Sequence, residues 1–267
     1  MIRTALAFIR RDFLLAVSYK ASFAAQVVAI LAKVTIFYFL GGVLQNAGSP
    51  KLQEYGGNYF AFLLIGVAFW DYLAASLTAF NTTMRESQMM GTLEMTLLAP
   101  IPTWSMLIYS SLWSYLFASF RVLLFLLFGV LLFGLDVGNA NVGAGLLILL
   151  MSILSCAAIG IGLACLIIVF KQGDAKRFVT LTSVILGGTF FPVDLLPGSI
   201  QNLSALVPMT HSLNGMRKAL LQNHSVAQLS AEIAALATFS IVLLPLGLVA
   251  FSYAVQQAKR SGTLAHY

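Results

Sequence analysis

Charge is what this sequence has least of. Asp, Glu, Lys and Arg together make up 9% of its 267 residues, against 60% hydrophobic ones, whereas soluble domains carry roughly a quarter charged residues. That excludes an ordinary soluble globular chain. Cysteine is nearly absent too: Cys156 and Cys165 are the two. Both lie in one apolar run at a spacing that fits neither a zinc site nor a disulfide framework, so they read as small core hydrophobes. The three histidines, His211, His224 and His266, fall outside the apolar runs without metal-ligand spacing. No GxxxxGK[ST] phosphate loop, HExxH or GxSxG occurs, which removes a Walker-type ATP site, a zincin and a nucleophile elbow. No catalytic residue, metal set or bound cofactor is expected, and the chain does not read as an enzyme.

What is present is long apolar sequence. Runs at 23–44, 59–82, 104–134, 142–170 and 231–255 each reach the roughly 20 residues needed to cross a bilayer. A further run at 178–191 is apolar but short. The predicted fold is all-α and polytopic, one transmembrane domain over 1–267 with six crossings. Residues 1–22 precede the first. Ile2, Ala5, Leu6, Ile9, Phe13 and Ala16 recur there at helical spacing with Arg3, Arg10 and Asp12 elsewhere on the wheel, the pattern of a helix lying in the membrane interface.

The net charge of +6 does not point to nucleic acid, because the basic residues sit in small groups beside apolar runs. With both termini on one side, that side receives Arg3, Arg10, Arg11, Lys20, Arg85, Lys171, Lys176, Arg177, Lys259 and Arg260, and the other Lys51, Arg217 and Lys218. The positive-inside rule then makes both termini cytoplasmic, as expected for a multi-pass protein of a cytoplasmic (inner) membrane. It places the polar island 83–102 on the cytoplasmic face as well. The segment 192–222, broken by Pro192, Pro197 and Pro208, faces outward. Broken helices at membrane depth are tolerated where they are buried in protein or line a cavity, so a re-entrant helical hairpin is expected.

Three charges fall inside the spans: Lys33, Asp71 and Arg121. Such groups are costly and usually face a bundle interior or water. Counting 1.5 Å per residue puts Lys33 roughly 15 Å from the inner end of its helix and Asp71 roughly 18 Å from the outer end of its own. Those depths nearly coincide in a core of about 30 Å, so a Lys33–Asp71 pair is expected, with Arg121 nearby or turned toward a polar passage. It serves either as an interhelical tie, as a contact to an anionic substrate or, less naturally without a chain of further acids, as a proton relay. An aromatic stripe on the third span (Trp104, Tyr109, Trp113, Tyr115, Phe117, Phe120) fits interfacial anchoring and helix packing, and also stacking against sugars or flat drugs.

Two segments then carry a resemblance. MRESQMMGTLEMTLLAP at 84–100, and GGTFFPVDLLPGSIQNLSALVPMTHSLNGMRKALL at 187–221, are similar in order and spacing to the cytoplasmic segment and outer signature of type-2 ATP-binding-cassette (ABC) exporter permeases, nearest the drug, lipid and lipo-oligosaccharide branch. The resemblance implies a permease subunit without its own ATPase site, pairing with a second permease (a homodimer) and with two copies of a separate ABC ATPase that binds ATP and Mg. It implies ATPase coupling through Arg85, Glu86, Gly91, Thr92, Leu93 and Glu94, and an outer gate around Phe191, Pro192, Leu196, Pro197 and Pro208. The expected activity is export of an amphipathic, lipid-linked or glycan-type substrate. The alternative is an ion-gradient-driven secondary transporter using Lys33, Asp71 and Arg121.

Overall fold

The computed structural model describes residues 6–7, 9–11, 13–14, 18–45, 58–89, 103–170 and 174–260. Among them every regular element is helical: α1 (Lys20–Gln45), α2 (Tyr59–Met89), α3 (Thr103–Phe133), α4 (Val142–Phe170), α5 (Asp174–Leu186), a 3-10 turn (Val193–Leu195), α6 (Gly198–Ser204), α7 (Pro208–Leu221) and α8 (Ser230–Arg260). Five of these, α1 to α4 and α8, are long and apolar enough to cross a membrane. Even the shortest, α1 with 26 residues, is about 39 Å long at 1.5 Å per residue. With no water in the hydrocarbon to satisfy a backbone, helix is the state such runs must take. The sixth predicted crossing is only the 13-residue α5, about 20 Å long, which is too short to cross alone. It starts at Asp174 rather than at 178, drawing Lys176 and Arg177 into its first turn.

Of the long helices, α1 and α3 run from the proximal end, where α1 starts, to the distal end, and α2, α4 and α8 run back, so that α4 and α8 lie parallel with Ser155 facing Leu236 and Cys165 facing Ala250. Their termini are set by local chemistry. After Phe133, Gly134 takes φ +66°, the left-handed conformation open to glycine, and Leu135 N–H reaches back to the Gly129 carbonyl at 2.9 Å. Asp136 Oδ1 accepts from Gly138 N–H at 2.9 Å. Asn141 Oδ1 then caps α4 by accepting from Ala144 N–H at 3.1 Å, an N-cap of the usual kind.

The helix α2 is central: 78% of its spanning window is buried, against 11% for α1 and for α8. Phe62, Leu63, Leu64 and Ile65 are consecutive and all buried, so protein surrounds this helix on every side. By contrast α1 offers the bundle chiefly Ile30 and Val34, one turn apart, and turns its remaining apolar surface outward. Backbones approach where side chains are small. A Cβ on Gly160 of α4 would sit 2.9 Å from the Ser76 carbonyl of α2, and one on Gly247 of α8 would sit 3.0 Å from the Ala158 carbonyl of α4. Ser155 Oγ donates to the Leu236 carbonyl at 2.9 Å, joining α4 to α8. Membrane helices, lacking a hydrophobic drive to associate, pack through such contacts.

Candidate functional site

The polar chemistry of the bundle gathers at the distal end, around 187–222. Here α5 stops because Gly187 and Gly188 follow it, the second at φ +66°. The chain crosses to α2, where the Phe190 carbonyl accepts from Tyr59 Oη at 2.7 Å, and then turns through the 3-10 helix. Gln201 Nε2 of α6 donates back to the Leu196 carbonyl at 2.8 Å. Pro208 opens α7 at its first position, where a missing N–H does no harm. Thr210 Oγ1 of α7 donates to the Leu186 carbonyl at 3.1 Å, closing the hairpin onto the end of α5.

At the centre lies Arg217, only 3% exposed. Its Nη1 donates to the Gly188 carbonyl at 2.8 Å and its Nη2 to the Thr189 carbonyl at 2.7 Å. Nε makes a longer bond to the Phe62 carbonyl of α2 at 3.4 Å, and Cζ stands 3.6 Å from the centroid of the Phe62 ring. Partially charged carbonyls and an aromatic face are the partners a planar guanidinium meets at least desolvation loss. The room for it comes from Gly66, one turn along α2. A Cβ there would collide with the Arg217 guanidinium and the Thr189 carbonyl. One side chain of α7 thus holds both the 188–189 turn and α2.

Lys218, the next residue, turns the other way. Its Nζ meets Glu232 Oε1 of α8 at 2.6 Å, and Glu232 is buried in that helix's first turn, where an acid also complements the helix dipole. Asn141 adds a third tie, its N–H to the Ala219 carbonyl at 3.0 Å and its Nδ2 to the His224 carbonyl at 3.2 Å. The charge count assigns Arg217 and Lys218 to the side opposite the termini. Both do lie at that end, but the first is buried and the second is paired with a buried acid.

Among the predicted gate residues, Pro192 and Pro208 are buried within this unit, Phe191 and Leu196 are half-buried, and Pro197 is exposed. Pro192 also lines a polar pocket of about 220 Å³ that reaches Arg217, with Asp194, Gln201, His211 and Asn214 around it. Sequence reasoning did not single out Arg217, Gly66 or Glu232 as structural centres. The signals were an arginine following a methionine in the 187–221 segment, a glycine inside an apolar run, and an isolated acid at the start of another.

The intramembrane charges are arranged differently from expectation. Asp71 Oδ2 pairs with Arg121 Nε at 3.0 Å, not with Lys33, and Arg121 Cζ lies 5.6 Å from the Phe117 ring centroid. Lys33 is exposed on α1. The reason is azimuth: α1 turns Ile30 and Val34 to the bundle, so Lys33, one residue before Val34 and about 100° around the helix, points away. The aromatic stripe of α3 also splits. Tyr115 lies toward the core beside Tyr72, with ring centroids 6.4 Å apart. Trp113, Phe117 and Phe120 form a ladder on the flank facing α1, with successive centroids at 5.8 and 6.4 Å.

Of the predicted coupling residues, Arg85 and Glu86 fall on the last turns of α2, which continues without a break to Met89. Their side chains, and all of Gly91, Thr92, Leu93 and Glu94, lie outside the described residues.

No curated protein matches this chain. A family model described as ABC-2 type transporter matches residues 4–221, a region that takes in α1 to α7 and the whole Arg217-centred unit. The chain therefore belongs to the ABC-2 type transporter family, as a multi-pass membrane permease of an ABC transporter, not itself the ATPase, in a family whose permeases partner with an ABC ATPase subunit.

Proposed function

We propose that this permease works as an exporter, moving an amphipathic, lipid-linked or glycan-type substrate outward from the cytoplasm, in the drug, lipid and lipo-oligosaccharide branch of the family. Both termini and the 83–102 segment are cytoplasmic, and the distal unit is the outer gate. The observation that carries this reading is the continuity of α2. Its 31 residues make a rod of about 46 Å. One end bears Tyr59 and Phe62, bonded to the gate turn and to Arg217, and the other bears Arg85 and Glu86. A push on the coupling segment by two ATPase subunits, each binding ATP and Mg, reaches the gate along that rod. Domain motions of this rigid-body kind are common in ligand-driven switching.

A second copy of the permease completes the passage. Phe178, Leu181 and Ile185 lie along one face of α5 and are exposed, a stripe that suits packing against an identical helix. The Asp71–Arg121 pair is read as an interhelical tie rather than a substrate site, since each group already has an opposite charge in contact.

The test is charge reversal, Glu94→Lys, in the purified permease–ATPase complex. The complex still assembles, but ATP turnover no longer responds to substrate and vesicle transport falls at least tenfold. Unchanged assembly with unchanged coupled turnover would refute the coupling role. A folded permease recovered without an ATPase under several mild detergents would count against the reading as a whole.

A further inference from the structure

The flank between the N-terminal stretch, α1 and α3 holds a cleft of about 520 Å³, lined by Phe13, Lys20, Phe23, Trp113, Leu116, Phe117 and Phe120. That volume falls in the range of sites that take a small molecule. The rings form a continuous wall: Phe13 stands edge-on to Trp113 at 5.8 Å, and Phe23 stacks on Phe120 at 5.6 Å. Lys20, the first residue of α1, is the one cation among the described lining residues. Trp113 lies ten residues into α3, and Phe120 is seven residues further on, roughly 10 Å along the helix. The cleft therefore runs along α3 from the level of Trp113 to that of Phe120, apolar along its length, with Lys20 on its α1 wall three residues before Phe23. Leu116 and Phe120 on its rim are exposed, so it opens sideways to lipid.

We propose that this cleft is a resident site for an anionic phospholipid, with one acyl chain against the Trp113–Phe117–Phe120 ladder and the phosphate at Lys20. The charge complementarity selects this occupant. An apolar cleft without Lys20 would take any chain, and exposed Arg10, three residues before Phe13 in sequence, adds to the attraction for an anionic headgroup. The site lies on the α1–α3 flank, apart from the distal pocket of the gate, and the inference holds whichever way the protein faces the membrane.

Trp113 reports on the cleft directly. The full chain carrying Trp70→Phe and Trp104→Phe, which leaves Trp113 as the sole tryptophan of three, is reconstituted into mixed phosphatidylcholine–phosphatidylglycerol vesicles. The acyl-chain bromines are carried by one lipid or by the other. Quenching of Trp113 should half-saturate at about fivefold lower mole fraction when phosphatidylglycerol carries the bromine, the selectivity that one lysine near an anionic headgroup supplies. Lys20→Gln should bring the two lipids to parity, and Lys20→Arg should keep the preference. If Lys20→Gln does not fold, raising the salt concentration on the unsubstituted Lys20 protein must shrink the preference instead. Equal quenching by both lipids would mean ordinary annular lipid and overturn the proposal. So would a preference indifferent to Lys20 and to salt, or no quenching by either lipid, which would mean that protein covers the cleft.

Discussion

Replacing Arg217 with methionine, which keeps the length and removes the donors, isolates what the guanidinium does. The Gly188 and Thr189 carbonyls would each lose a short bond, now 2.8 and 2.7 Å, and a buried polar group left unsatisfied costs about 1–3 kcal/mol. The cation–π contact with Phe62 adds about 0.5–2 kcal/mol. Two effects offset these losses. The charge no longer has to be desolvated, and the adjoining polar pocket admits water to at least one freed carbonyl. The expected net loss is about 2–4 kcal/mol, read as a lowered denaturation midpoint of the detergent-solubilised protein. Arg217→Lys should recover only part of it, because a single ammonium cannot span both carbonyls and cover the ring as a planar fork does. A cycle with Phe62→Leu should give a coupling of about 1–2 kcal/mol. Protease accessibility of 187–207 should rise in the same order. If Arg217→Met matches the unsubstituted protein in stability to within about 0.5 kcal/mol, and in protection of that segment, the pinning argument is wrong.

Three further outcomes follow from the same packing. Gly66→Ala should destabilise the protein by about 2 kcal/mol or more, and part of that cost should vanish in an Arg217→Ala background where the clashing guanidinium is gone; strict additivity would contradict the geometry. Neutralising Asp71 or Arg121 alone should cost about 1–3 kcal/mol, the lower figure reflecting their partial exposure, while the Asp71→Arg/Arg121→Asp exchange restores most of it. Lys33→Gln should move the thermal midpoint little, and a loss as large as that of Asp71→Asn would return Lys33 to the pair. Glu232→Gln, which removes the partner of Lys218 at 2.6 Å, should lower stability by about 1–2 kcal/mol, with Lys218→Met in the same range and the double variant no worse than either single one.

Apolar run length determined the number of long helices, since a membrane helix needs continuous apolar sequence and nothing else in lipid satisfies its backbone. Gly and Asn at 134–141 marked their turn for the same local reason: φ above zero and an N-cap are properties of single residues. The short 178–191 run and the three prolines marked a broken segment at one end, and α5 to α7 occupy it. Family membership was legible in 84–100 and 187–221, where residue type and order carry the pattern.

Only the tertiary structure decided which charge meets which. Axial depth follows from counting along a helix, so Lys33 and Asp71 could be placed at one level; azimuth depends on how each helix is rotated against its neighbours, and that rotation turns Arg121 to Asp71 and Lys33 away. Arg217 and Lys218, adjacent in sequence, serve opposite neighbours because successive residues of a helix point about 100° apart. The vacancy that admits Arg217 belongs to Gly66, 151 positions earlier in the chain. No local pattern in either stretch signals the other, because the contact exists only once α2 and α7 are packed side by side.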